Sequence, residues 1–294
     1  MAKQDLAANS SKASEEVKTS SEITVAGSTI PAVSVGSSLS TEDFALFEGA
    51  PTGLENVTSK DVLIPRMTIL QALSPQLNKQ KPEYIKNAEV GDFCDVAMGD
   101  TFREGFNFLP VYFAVVYLEW APRASGKGLV ANHGLAIPKE LEKQLSKDDK
   151  GRDVLPNGNY IVATATWFGL NLTAGGRRTF IPLSSTAFKA SRNWMTKITN
   201  EKLNLGGREI SAPIYWRGWT ISTTHESNAQ GDWFGWKMEA GPTVLEIDPT
   251  KNLLNSAKDF YAQIRSGFVQ GDFTTYSDDD MTQHADGADT NRSM

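Results

Sequence analysis

Through the middle of the chain, stretches rich in Val, Ile, Thr and aromatic residues are separated by Gly, Pro and Asn, the pattern of strands joined by turns. Strands are predicted over 106–120, 160–170, 179–183, 214–224, 233–239 and 243–247. In the fourth, Tyr215, Arg217, Trp219 and Ile221 share one parity, so strand periodicity places them on one face. A second periodicity, near 3.6, marks helices. Over 249–266, Leu253, Leu254, Ala257, Phe260, Tyr261 and Ile264 fall on one side, Asp248 is positioned to cap the free amides and Pro249 suits the first turn. Over 186–200, Phe188, Met195 and Ile198 point inward and leave Lys189, Asn193 and Lys197 in an outer stripe. A short charged helix is predicted over 138–147. These helices do not alternate regularly with the strands. The expectation is therefore a mainly β body with inserted helices, a barrel or sandwich rather than a doubly wound parallel sheet.

Pattern also divides the chain. Residues 1–45 are rich in Ser, Ala, Thr and Glu and are expected to form a disordered arm, since they bury too little apolar surface to offset their ordering entropy. Residues 46–271 form the expected globular body, and 272–294 a second disordered, acidic tail. The longest apolar runs fall short of the roughly 18 residues of a membrane span, and the first residues are polar, which predicts a cytoplasmic protein without membrane contact.

Charge sharpens this division. Residues 1–50 sum to −4 and 272–294 to −5, so the chain's total of −6 leaves the middle at about +3. Within it, residues 175–217 hold Arg177, Arg178, Lys189, Arg192, Lys197, Lys202, Arg208 and Arg217 against Glu201 and Glu209 alone. Phe180, Phe188, Trp194, Tyr215 and Trp216 are interleaved with them. Cations for phosphates and flat rings for bases are the components of a single-strand nucleic-acid groove. The candidate binding residues are Arg177, Arg178, Lys189, Arg192, Trp194, Lys197, Tyr215, Arg217 and Trp219. Arg123 and Lys127 join them on a Gly-containing loop that either closes over a strand or is a plain hairpin turn.

Catalytic chemistry has little to stand on. His133, His225, His284 and the single Cys94 do not fall at metal-ligand spacing, and no cofactor motif is present. Around Gly126 and Lys127 the phosphate-loop pattern lacks its first Gly and its final Ser or Thr, and no Gly-x-Ser-x-Gly elbow occurs. A non-enzymatic protein is expected. Asp278, Asp279 and Asp280 read as solvated charge able to meet basic surfaces of partner proteins.

The run from Ile64-Pro65-Arg66-Met67 through Gln71-Ala72-Leu73-Ser74-Pro75, with Val90-Gly91-Asp92-Phe93, Tyr117-Leu118-Glu119-Trp120 and Gly126-Lys127-Gly128-Leu129-Val130, resembles a group of bacteriophage proteins. The overall plan resembles phage single-stranded DNA-binding proteins, which implies an OB-like barrel at 46–271, single-stranded DNA as ligand and replication or recombination proteins as partners of the tail. Self-association is a further expectation. The alternative is a phage structural or assembly protein, whose β body would serve interfaces.

Overall fold

In the computed structural model the described residues are 49, 53, 55–57, 63–149, 151–228, 231–267, 270–271 and 273. The predicted arm at 1–45 lies outside them, as does the predicted tail at 272–294 apart from Phe273. The chain divides into units 1–56 and 57–294, and the architecture described here belongs to the second.

In chain order the strands are β1 (Leu63–Ile64), β2 (Met67–Ile69), β3 (Phe93–Asp95), β4 (Thr101–Phe102), β5 (Phe106–Trp120), β6 (Leu129–Asn132), β7 (Ser146–Lys147), β8 (Asp153–Val154), β9 (Tyr160–Asn171), β10 (Arg177–Ser184), β11 (Lys202–Leu205), β12 (Arg208–Ser211), β13 (Arg217–Asn228), β14 (Gly231–Thr243) and β15 (Gln270–Gly271). Helices are α1 (Lys139–Glu142), α2 (Ser185–Thr199), α3 (Val244–Ile247) and α4 (Asn252–Arg265). The protein is mainly β, built on a curled half-barrel sheet. That sheet runs β14-β13-β5-β9-β8-β7, with β10 also on β9 and β6 also on β5.

Around β5, β9 and β10 both faces of the sheet are buried, which is why these central strands read as near-continuous apolar runs. On one face α2 and the small β2-β3-β4 sheet cover Phe106, Phe108, Trp167, Ile181, Leu183, Trp219 and Ile221. On the other, α4 covers Leu109, Val111, Leu118, Phe168, Leu170 and Phe180. A bulge in β5 between Pro110 and Tyr112 lets one strand serve both clusters. The extra residue reverses the phase, so Phe106 and Phe108 face the α2 side before it, whereas Val116, Leu118 and Trp120 face the α4 side after it. Pro110, which has no N–H for the ladder, sits at this irregularity opposite Gly169. A Cβ at Gly169 would lie 2.3 Å from the Leu109 carbonyl oxygen, so this close strand approach requires glycine.

Several predicted elements change at their ends. The segment 243–247 is not a strand. β14 runs unbroken to Thr243, and Val244–Ile247 then turns into α3 because Thr243 and Glu246 form a reciprocal capping box. Residues 214–216 form a 3-10 turn ahead of β13. The 138–147 helix shortens to α1 and ends in β7.

α4 starts later than predicted, at Asn252 behind a left-handed Lys251, so Pro249 precedes the helix instead of opening it, but Asp248 still reaches forward to a free amide of the first turn. Asp248 accepts from the Leu253 N–H at 2.7 Å and from Thr250, and these bonds hold its carboxyl below the usual 3.8. Glu246 is likewise held below 4.5, first by the Thr243 N–H and then by its hydroxyl. Both folded values are depressed, so the stability they contribute is present above the unfolded values and lost as pH falls through the folded ones. An acid titration by far-UV circular dichroism should show helix loss beginning below about pH 4. In the Asp248→Asn variant that step should be smaller, and an identical titration would remove Asp248 from the account.

Candidate nucleic-acid interface

The basic and aromatic block separates into three groups once folded. The first is core. Trp194 and Trp219, predicted as base platforms, are 1% and 2% exposed. Trp194 stacks on Trp167 at 4.0 Å between ring centroids and meets Trp219 edge-on at 5.8 Å. The platform face predicted for 215–221 is the inner face: Trp219 and Ile221 pack under α2, while Tyr215, in the 3-10 turn, packs half-buried against the opposite cluster. Neither tryptophan is placed to stack on a base. Helix packing explains Trp194, because α2 buries the stripe Ala187, Ser191, Trp194 and Ile198 against the sheet.

The second group consists of cations committed to the fold. Arg177 places one guanidinium nitrogen 3.3 Å from Asp95 and 2.5 Å from Asp100, tying the start of β10 to the β3–β4 turn. The Asp95 side chain is only 1% exposed. Burial pushes its carboxyl above the usual value, against the pull of the Met98 N–H and of Arg177. Arg177 is held in its charged form above all by the hydrogen bond to Asp100. Arg217 donates to Glu201 at 2.6 Å and to the Gly241 carbonyl at 2.5 Å. Arg178 donates to Gln263 at 2.8 Å and lies over the Phe260 ring, fixing α4 to β10. Lys197, on α2, donates to the Met238 carbonyl at 2.9 Å.

The third group faces outward. Lys189 and Arg192 are exposed on α2, and the Arg192 guanidinium lies 5.3 Å from the Phe188 ring centroid. Directly after α2 comes the β11–β12 hairpin, a two-stranded sheet of its own closed by Gly206 and Gly207, which both adopt the positive φ of a tight hairpin turn. Its Arg208 is exposed, and its Lys202 donates to Ser211 on the facing strand. Over 185–211 five cations thus stand against Glu201 and Glu209, and Glu201 is already neutralised by Arg217. Lys202 and Arg208 were visible in the basic block; the hairpin register puts them on opposite faces of the two-stranded sheet, Lys202 opposite Ser211 on one and Arg208 opposite Leu205 on the other. Lys127 is exposed in the β5–β6 loop, whose Ala121 N–H bonds the Gly128 carbonyl as in a hairpin turn. The Arg123 side chain and Asp278, Asp279 and Asp280 lie outside the described residues.

Among the described residues no cluster of three or more His, Cys, Asp or Glu could hold a metal, and no helix is long and apolar enough to cross a membrane. The residue range 37–270 matches a model of a phage protein family described as Pam3 phage gp34-like protein. No curated protein and no solved structure matches the chain.

Proposed function

Because the chain belongs to the Pam3 phage gp34-like protein family, we propose that it acts in the infected host cell as a non-enzymatic single-stranded DNA-binding protein of phage replication or recombination. One observation carries the reading: α2 exposes Lys189 and Arg192, and the hairpin that follows it in the chain exposes Lys202 and Arg208, one on each of its faces. Exposed cations spaced along one segment suit tracking of a phosphate backbone. Arg192 over Phe188 supplies a flat cationic plane for a splayed base, a role the buried tryptophans do not fill. In this reading Asp278, Asp279 and Asp280 engage basic surfaces of replication partners.

The test is fluorescence anisotropy with single-stranded and duplex oligonucleotides across a salt series. With about four phosphates neutralised, log K should fall with log salt at a slope of about −3, from about 0.7 per phosphate. Changing Lys189, Arg192, Lys202 and Arg208 together to Ala should abolish most of that slope and leave the melting temperature nearly unchanged, as these side chains lie outside the core. Absence of salt-dependent binding by the parent protein would discard the reading. It would then favour a phage structural or assembly role, to which the 45% exposure of Ile210 on the same hairpin lends support.

A further inference from the structure

An uncovered sheet edge is a template for another strand, and folded proteins normally cover it or mark it with charge or proline. The large sheet does so at most of its edges. Along β14 the Gln71 carboxamide makes both bonds a neighbouring strand would make, donating to the Phe234 carbonyl at 2.7 Å and accepting its N–H at 2.9 Å. Lys197 occupies the Met238 carbonyl four residues further on. The outer edge of β10 is closed by the Pro65 carbonyl, which accepts from the Phe180 N–H and the Thr179 hydroxyl. The edge at β7 is two residues long, and its Lys147 is paired with Asp153.

β6 differs. Leu129, Val130, Ala131 and Asn132 contain neither charge nor proline, pair with β5 on one side and have no strand on the other among the described residues. Val130 is 49% exposed.

The chain carries a segment that suits this edge. After Phe273 come Thr274, Thr275, Tyr276 and Ser277, uncharged and led by three residues of strand-forming type, followed at once by Asp278, Asp279 and Asp280. An antiparallel addition places the residues after Ser277 beside those before Leu129, where Lys127 is exposed; a parallel one sends the acids the other way, towards the Glu119–His133 pair. Charge therefore selects the antiparallel orientation. The donor cannot be the same molecule. Phe273 is anchored against Phe180, which aligns through Phe168 with Tyr112, whereas β6 begins its pairing at Leu118. Six strand residues separate these positions, about 20 Å, and one residue of chain spans at most about 3.6 Å.

We propose that residues 274–277 of a second copy add to β6 as an antiparallel strand, with Asp278, Asp279 and Asp280 beside the Lys127 loop. The strand supplies backbone hydrogen bonds and the acids fix its direction. Each copy donates one segment and accepts one, so the contact builds either a reciprocal dimer or a chain of copies. It does not depend on DNA binding.

Sedimentation velocity tests this with two variants. Truncation after Thr274 keeps the anchoring Phe273 but removes the donor, and Val130→Lys keeps the donor but places charge on the acceptor edge. The parent should self-associate, each variant alone should be monomeric, and mixing the two should restore a one-to-one complex between the truncated acceptor and the Val130→Lys donor. A labelled peptide of residues 272–282 should bind the truncated protein about tenfold more tightly than it binds the truncated protein carrying Val130→Lys, equivalent to about 1.4 kcal/mol. A monomeric parent, undiminished association of either variant, or a mixture without heterocomplex would each overturn the proposal.

Discussion

Replacing Trp194 by Ala should lower folding stability by about 3 to 5 kcal/mol, the cost of emptying a fully buried aromatic site. The indole is enclosed by Trp167, Trp219 and Phe108, so the vacated volume borders other large rings that have little freedom to collapse into it. Stacked and edge-on ring pairs add about 0.5 to 1.5 kcal/mol each beyond area burial. Urea unfolding followed by circular dichroism measures the loss. The folded fraction should bind oligonucleotide with parental affinity, whereas a base platform would show intact stability and weakened binding.

The second large effect concerns a charge. Removing the guanidinium with Arg177→Met leaves the buried Asp95 carboxylate without its cation, and breaking a buried pair from one side typically costs about 3 to 5 kcal/mol. Asp95→Asn should cost less, because Arg177 retains Asp100 and partial access to water. The pH dependence has a definite sign. Burial already raises the folded Asp95 value above 3.8, and loss of the guanidinium raises it further. A raised carboxyl favours the fold below its unfolded value and loses that advantage as pH rises through its folded value. The stability deficit of Arg177→Met should therefore shrink as pH is lowered towards 4 and be largest at neutral pH. A deficit independent of pH would show that packing rather than charge is responsible.

The sequence made some of this architecture legible. β5 occupies the predicted 106–120 because a long Val- and aromatic-rich run marks a strand whichever face each residue takes, and α2 lies within one residue of the predicted 186–200. The buried stripe of α2 was less visible. Ala187 and Ser191 line it, and small or polar residues give no hydrophobic signal where a helix approaches a sheet closely. Parity grouped Trp219 with Ile221 correctly, but parity does not say which face of a strand is the inner one. The cations posed a different difficulty. Arg177 draws its partners from 82 and 77 residues upstream, a distance across which composition has no reach, so a cation in a fold-closing ion pair reads the same as one on a binding surface.

β1 and β15 are the first and last strands of the described body, and they pair with each other in parallel, Leu63 with Gln270 and Ile64 with Gly271. During synthesis, Leu63 must wait for more than two hundred further residues before its partner leaves the ribosome, at about 5 to 20 residues per second. For that interval of at least about ten seconds, the strand and the apolar face awaiting Phe260 and Phe273 remain open to other nascent chains. Such a chain should come to depend on chaperones as its rate of synthesis rises.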